Sequence, residues 1–540
     1  MPKQRLKIVT ITIIICFLVV TIRLFYWQII KNPELNQKVI NQNYKPIVIY
    51  PQIGKIYDSN NFPLVLNQTY YHLSIYKPDL KIKPEQIISF IQHSHSNLSP
   101  EDTEQISLFF QNQNQKWLTL KDDFSSEEKS SLSDPGFSFS IINTRFYPEN
   151  NLAKIILGST SLGGLEGYYR KQLSGREGFS WQSIDATGQT NLNKAGWYLE
   201  AQNGRNLHTS INRQVQFLAE NALFAGINKF SADSGSITIM NPQSGAIIAM
   251  TSLAATSSAT PSAYKNPIIA DLFEPGSIFK PLVVSMALNS HVINTNFICT
   301  KCSQNHQIGR YSIGNWDGSL HPNSSLQDII KNSDNIGMSY IIQTLGLKNF
   351  LHYFQLLNLN RKTGIDLQGE TKPLEKSIWP EIDLATASFG QGFAVTQIQM
   401  LQAFNSIAND GLMSKVHFVN YFDDQNQIIK NNLSPTIKIF EQDTIKNIKS
   451  ILKYSVENGI VAKFKPANLE VCAKSGTAQI AVTGGYSESS TNASYVGFSP
   501  CQNPKFTMIV TINNPKTSPW GSSTAAPIWY ELASKITPLL

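Results

Sequence analysis

The stretch Glu274-Pro275-Gly276-Ser277-Ile278-Phe279-Lys280-Pro281 constrains this chain more than any other. Pro275 and Gly276 punctuate a turn, and the residues that follow (Leu282, Val283, Val284, Met286, Ala287, Leu288) are apolar on every side. A turn must therefore deliver the chain into a buried helix. Lys280 lies three residues after Ser277, on the same helical face, so its amine can reach the Ser277 hydroxyl. A serine is a poor nucleophile until a base takes its proton, and a desolvated lysine can be that base. Taken alone, Ser-x-x-Lys also describes a helix cap followed by a solvated lysine. Its meaning depends on what accompanies it.

Two further motifs follow. Ser333-Asp334-Asn335 stands between the helical stretches 326–331 and 336–345, and Lys474-Ser475-Gly476-Thr477 lies in a strand-like run over 471–482. Ser-x-x-Lys, Ser-x-Asn and Lys-Ser/Thr-Gly, in that order, resemble the signature set of serine acyl transferases that react with β-lactams. Each residue type has a physical task. Ser277 attacks a carbonyl, and a dry, neutral Lys280 accepts its proton. Ser333 relays a proton to the leaving amine, while Asn335 hydrogen-bonds Lys280 and the substrate backbone. Lys474 brings positive charge to a substrate carboxylate and keeps Lys280 neutral by like-charge repulsion. Ser475 and Thr477 offer hydroxyls to that carboxylate, and Gly476 lets a substrate backbone lie close to the strand. The backbone N–H groups of Ser277 and Thr477 form the expected oxyanion hole.

At 540 residues the chain calls for at least two domains. A hydrophobic share of 41%, with 28 Phe and 20 Tyr, excludes global disorder. The net charge of +7 suits an anionic membrane or polymer, and ordinary solubility accounts for it as well. No basic stripe is interleaved with aromatics, so nucleic acid is not an expected partner. Lys3, Arg5 and Lys7 precede an apolar stretch over residues 8–22, which resumes over 24–30 after Arg23. No small-x-small site follows, so an uncleaved single-pass anchor is expected, with the N-terminus cytoplasmic and the rest outside. Arg23 can snorkel beside Tyr26 and Trp27.

Of five cysteines, Cys16 lies in the apolar stretch. The spacing of Cys299 and Cys302 invites a zinc or redox reading, but no second pair follows, His306 and His321 are too loosely spaced, and Cys472 and Cys501 read as lone residues in strand-like contexts. Neither metal nor cofactor is expected. Outside a membrane, a local Cys299–Cys302 disulfide and a pair of thiols both remain open.

Between these landmarks, residues 32–45 read as a helix and 51–75 as two strands joined at 58–61. Residues 77–134 are rich in Ser, Gln, Asn and Lys, with 94–97 and 125–133 as expected loops. Residues 137–142 read as a strand and 164–169 as a short helical piece. Asn203-Gly204-Arg205-Asn206 marks a boundary, followed by a helix start near Arg213. Residues 236–240 and 246–250 form a hairpin about Asn241-Pro242-Gln243-Ser244-Gly245.

Beyond the three motifs, several segments resemble the class B penicillin-binding proteins, the monofunctional peptidoglycan D,D-transpeptidases, over nearly the whole length. Arg23-Leu24-Phe25-Tyr26-Trp27 resembles their membrane exit, and Gly54-Lys55-Ile56-Tyr57-Asp58 with Arg145-Phe146-Tyr147-Pro148 resembles their non-catalytic pedestal. Asp271-Leu272-Phe273-Glu274, Ala387-Ser388-Phe389-Gly390-Gln391-Gly392 and Ala408-Asn409-Asp410-Gly411 resemble their catalytic domain. The resemblance implies an α+β chain: a transmembrane helix (1–31), an elongated mixed α/β pedestal (32–205) and a serine β-lactamase-like transpeptidase domain (206–540), with an antiparallel sheet flanked by helices. It also implies peptidoglycan stem peptides ending in D-Ala-D-Ala as donors, β-lactams as covalent inhibitors, and a lipid-linked glycan polymerase as partner at the bacterial cytoplasmic membrane, in division or elongation.

The chain departs from the family at Ile53, where an arginine is usual and a salt bridge between domains is thereby put in doubt. Further departures are Asn212, Asp334 in the second motif, and Gly521-Ser522-Ser523 in place of a double glycine. A β-lactamase, a β-lactam sensor and a decayed scaffold are the rival readings. The anchor and pedestal disfavour the first, the single span the second, and the intact motifs the third.

Overall fold

The computed structural model describes residues 2–159, 163–183, 198–255, 265–374, 376–482 and 485–540, so part of the glycine-dense stretch after Gly158 lies outside the described residues. The chain divides into two compact units, residues 1–54 with 174–204 and residues 55–173 with 205–540. In the first, the α-helix Pro2–Phe25 runs into a π-helical turn, Tyr26–Ile30, and then into the helix Asn32–Asn43. Leu6–Ile30 is a 25-residue apolar stretch. At ~1.5 Å per residue it exceeds the ~30 Å of a bilayer core, which makes it a candidate membrane anchor. The strand Tyr44–Ile49 pairs with Gly178–Ser183, which pairs with Tyr198–Leu199.

In the second unit, the long strand Pro63–Tyr76 organises residues 55–173. It pairs with Phe137–Phe146 along most of its length and with Trp117–Thr119 at its end. The helices Pro84–Ser94 and Pro100–Gln111 cover one face, burying Leu73, Ile75, Ile87, Ile91, Ile106 and Phe109. One expectation fails here: residues 126–131 are helical, not a loop. Ser125 caps the Glu128 N–H while the Glu128 carboxylate returns to the Ser125 N–H, a reciprocal box strong enough to start a short helix in a polar stretch.

This lobe joins residues 205–540 through backbone pairing. Ile56–Tyr57 lies parallel to Asn206–Thr209, which pairs with Val419–Asp424. The buried Asp366 accepts from Tyr169 Oη at 2.8 Å and from the Phe418 and Val419 N–H groups at 2.7 and 2.9 Å. Arg205 pairs with Asp424 at 2.8 Å, and Arg213 pairs with Glu149.

The main sheet is antiparallel and five-stranded, in the order Ile247–Ala254, Ser234–Met240, Phe506–Asn513, Gly485–Ser499, Cys472–Val482. The hairpin expected about residues 241–245 forms its outer pair. The helices Arg213–Phe230 and Ala525–Ile536 pack together, and Trp529, Tyr495 and Tyr530 fill the core with them. A helical lobe built on Lys280–Asn289, Asn335–Leu356 and Gln442–Asn458 packs beside the edge strand. The architecture is the expected α+β one.

Cys299–Cys302 is a disulfide, which settles the open alternative, and Cys472–Cys501 is a second. The reading of Cys472 and Cys501 as lone residues is thereby corrected. Antiparallel pairing sets Cys472 opposite Phe498, and this returns Cys501 to within 5.3 Å, Cα to Cα, across 29 residues of sequence.

Trp529 is wholly buried and donates from Nε1 to Met508 O at 2.9 Å. Trp529→Ala is expected to lower unfolding free energy by about 3–5 kcal/mol in a urea titration followed by circular dichroism.

Candidate active site

The turn before the first motif is pinned from below. Gly276, at φ 60°, donates its N–H to Gly390 O at 3.0 Å. A Cβ on Gly390 would stand 2.2 Å from Gly276 O, and φ at Gly390 is 78°, so that position requires glycine twice over. Gly276–Phe279 then forms a 3-10 turn that continues into the α-helix Lys280–Asn289. At three residues per 3-10 turn, Ser277 and Lys280 come close to eclipsing. The helix is buried from Lys280 through Leu288, as its apolar run dictates, and Lys280 is 0% exposed.

The Lys280 amine reaches into the second motif. Nζ donates to Ser333 O at 2.5 Å and to Asn335 Oδ1 at 2.8 Å, and lies 3.1 Å from Ser333 Oγ. Lys474 Nζ approaches the same hydroxyl at 3.2 Å and donates to Ser475 O at 2.8 Å. Ser333 sits at φ 55° in the left-handed region, strained for a residue other than glycine, between the helices Leu326–Lys331 and Asn335–Leu356. This conformation holds its hydroxyl between the two lysines.

The proton inventory of this group is informative. A neutral amine has two N–H donors and one lone pair. Around Lys280 stand two obligate acceptors, Ser333 O and Asn335 Oδ1, and one hydroxyl that can donate. A neutral Lys280 satisfies all three, with Lys474 donating in turn to Ser333 Oγ. Burial, followed by the Lys474 charge, pushes Lys280 well below the ordinary lysine range, while Asp334 pulls the other way. Burial brings Lys474 down to about 7.

Among the described residues no hydrogen bond joins Ser277 Oγ to Lys280 Nζ, so the direct contact expected from the sequence is not made, and the Lys280 amine is bonded to Ser333 and Asn335 instead. Such contacts commonly tighten only when substrate enters.

The third motif lies on Cys472–Val482, the sheet's edge strand, which leaves its outer edge to the Ser277 turn. A Cβ on Gly476 would lie 2.8 Å from Ile278 Cγ2 and 3.0 Å from Ile278 N. The close neighbour of Gly476 is thus the Ser277 turn itself, in the place the sequence reading reserves for a substrate backbone. Thr477 Oγ1 accepts from Gly521 N at 3.0 Å. Ser277, Ser333, Asn335, Lys474, Ser475 and Thr477 together line one cleft of about 690 Å³.

Sequence reasoning missed three residues of this cleft, Trp316, Trp520 and His321, and Asn315 beside it. Trp316 and Trp520 both line it and meet with ring centroids 4.8 Å apart. Asn315 Oδ1 accepts from the Asn335 N–H at 2.7 Å, which fixes the start of the long helix. His321, weighed only as a metal ligand, places Nδ1 2.9 Å from the buried Asp334 carboxylate. His306 lies apart from this group, stacked on Tyr340 and bonded to Ser339 Oγ at 2.8 Å. No local pattern announces these residues, although the Asn-Trp-Asp-Gly turn is itself a visible loop signal.

Residues 235–534 match the penicillin binding protein transpeptidase domain, and residues 48–163 match the penicillin-binding protein dimerisation domain. Among relatives, Stage V sporulation protein D of Bacillus subtilis is 27% identical, over 97% of this chain and 84% of its own length. The peptidoglycan D,D-transpeptidase FtsI of Buchnera aphidicola subsp. Baizongia pistaciae is 26% identical, over 99% of this chain and 95% of its own. Among solved structures, penicillin binding protein 2X from Streptococcus thermophilus superposes with a TM-score of 0.74 at 23% identity, covering 91% of this chain and 80% of that one. At that identity the likeness speaks for the fold. With the transpeptidase match spanning more than half of the residues and the dimerisation match preceding it, this chain belongs to the class B penicillin-binding proteins.

Proposed function

We propose that this chain is a serine D,D-transpeptidase that crosslinks peptidoglycan stem peptides, in cell division or elongation, and is acylated by β-lactams. The observation that carries the reading is the buried Lys280–Ser333–Lys474 group beside Ser277 in one cleft. In the proposed reaction Ser277 Oγ attacks the carbonyl of the penultimate D-Ala, and its proton passes to Lys280. The oxyanion is held by the N–H groups of Ser277 and Thr477, where losing one donor costs about 100-fold in rate. Ser333 hands a proton to the departing D-Ala nitrogen as the C–N bond breaks and is refilled by the proton Lys280 took from Ser277, leaving an ester on Ser277 and a neutral Lys280. An amine from a neighbouring stem then forms the new amide, its proton returns through Lys280, and Ser277 Oγ is released. Lys474, Ser475 and Thr477 hold the donor carboxylate, and Asn335 orients Lys280 and the donor backbone. In a β-lactam the bond that breaks belongs to the ring, so the leaving group stays attached.

The same reading takes residues 1–31 as cytoplasmic tail and membrane anchor, 32–205 as a non-catalytic pedestal and 206–540 as the transpeptidase domain. It places the N-terminus in the cytoplasm and the rest outside the bacterial cytoplasmic membrane, beside a lipid-linked glycan polymerase. The long apolar helix supports the anchor. The disulfides Cys299–Cys302 and Cys472–Cys501 support an oxidising compartment. Names among the relatives and structures agree, including one penicillin binding protein 3 structure complexed with aztreonam.

Intact-mass analysis of the detergent-solubilised chain after incubation with benzylpenicillin is expected to show one stable adduct, mapped to Ser277 and lost in Ser277→Ala. Absence of an adduct on folded protein would sink the enzymatic reading, and rapid turnover without accumulation would point to a β-lactamase. Lys280→Arg, whose guanidinium keeps its proton at any working pH, is expected to slow acylation at least 100-fold in a stopped-flow assay while Ser277 remains in place.

A further inference from the structure

Asp334 is wholly buried between Ser333 and Asn335, and it bears on Lys280 with the wrong sign. A carboxylate there favours the ammonium form, whereas the proposed chemistry needs the amine. Its Oδ1 accepts from the Gly337 N–H at 2.8 Å as a helix cap, and its Oδ2 faces His321 Nδ1 at 2.9 Å. The other ring nitrogen, Nε2, lies 3.1 Å from Ser319 Oγ.

The protons around this ring can be counted. Ser319 has one hydroxyl proton, and it goes to Asp317 Oδ1 at 2.6 Å. His321 Nε2 must then donate to Ser319 Oγ, because that oxygen has no second proton to give. Nδ1 faces an ionised carboxylate and must donate as well. Asn315 Nδ2 gives one of its two protons to Ser319 O at 2.9 Å and lies 3.3 Å from Nδ1, farther than the Asp334 oxygen at 2.9 Å, so the carboxylate is the nearer partner of Nδ1. Both ring nitrogens therefore carry hydrogen, which makes the ring an imidazolium between two carboxylates.

We propose that His321 is a positioning residue: as an imidazolium held between Asp317 and Asp334, it cancels the Asp334 charge and so leaves Lys280 with no effective carboxylate partner. Other charged groups on the surrounding elements have partners of their own, save Glu274 Oε2, which is buried without one among the described residues. Lys331 pairs with Asp328 at 3.0 Å. Glu274 accepts from the Gly392 N–H at 2.9 Å and from Tyr486 Oη at 3.1 Å. Lys474 is the cation that faces Lys280, and it acts in the same direction as His321. The His321 side chain is 25% exposed and lines the cleft.

This inference rests on the Ser277 acylation reading, and one set of measurements separates the two. The second-order rate of acylation by a fluorescent penicillin is measured from pH 5 to 9 on the full chain in detergent, for wild type, His321→Gln, Asp334→Asn and the double variant. Glutamine keeps hydrogen-bonding capacity without charge, and asparagine remains a good helix cap. His321→Gln is expected to shift the acid limb upward by about one unit and to slow acylation about tenfold near the limb. Adding Asp334→Asn is expected to return the rate to within about threefold of wild type, a rescue that a merely structural role for His321 does not give. An unmoved limb in folded His321→Gln, or no rescue in the double variant, overturns the proposal. If His321→Gln fails to fold by its melting curve, Asp334→Asn alone decides: its limb stays or moves down, and an upward shift refutes the idea. A wild-type chain that takes no penicillin fails the broader reading instead.

Discussion

The site depends on keeping a lysine amine dry. Lys280 is sealed by its own apolar helix and satisfied by Ser333 and Asn335, with the Lys474 amine approaching Ser333 Oγ. Removing water makes the charged form costly, and a second buried lysine makes it costlier. The expense falls on stability. Lys474 holds its proton less tightly folded than unfolded, so between about 7 and 10.5 the unfolded chain binds more protons and stability rises with pH through that window. A chain with a large sheet core built around Trp529, Tyr495 and Tyr530 can carry such a site.

Close backbone approach does the rest of the positioning. The Ser277 turn is held on one side by Gly390 and meets Gly476 on the other, and in both places a Cβ would collide with that turn. The strained Ser333 backbone then sets one hydroxyl between two lysines. A rigid scaffold fixes these contacts, so little reorganisation is left for the moment of reaction. The Trp316 and Trp520 rings, which line the same cleft, meet each other there.

Much of this was legible in sequence because much of it is local. Ser277 and Lys280 are joined by one turn, the apolar run after Lys280 could only be a buried helix, and the polar turn between residues 240 and 246 could only join a hairpin. What stayed hidden depends on contacts across the chain or on signals that were passed over. Cys472 finds Cys501 through strand register, and Trp316 finds Trp520 in one cleft. His321 acquires a role only when Asp334, Ser319 and Asp317 surround it. The helix at 126–131 is different, since Ser125 and Glu128 spell its cap in the sequence and the polar composition around them concealed it.

The most direct test of the account is the pH dependence of Ser277 acylation in the wild-type chain, followed with a fluorescent penicillin from pH 6 to 10. A neutral resting Lys280 predicts an acid limb far below the ordinary lysine value of 10.5, and a rate that does not climb above pH of about 7, where Lys474 gives up its proton. A rate that instead climbs about tenfold per pH unit up to the alkaline end would mean that Lys280 rests as an ammonium, and would contradict the account at its centre.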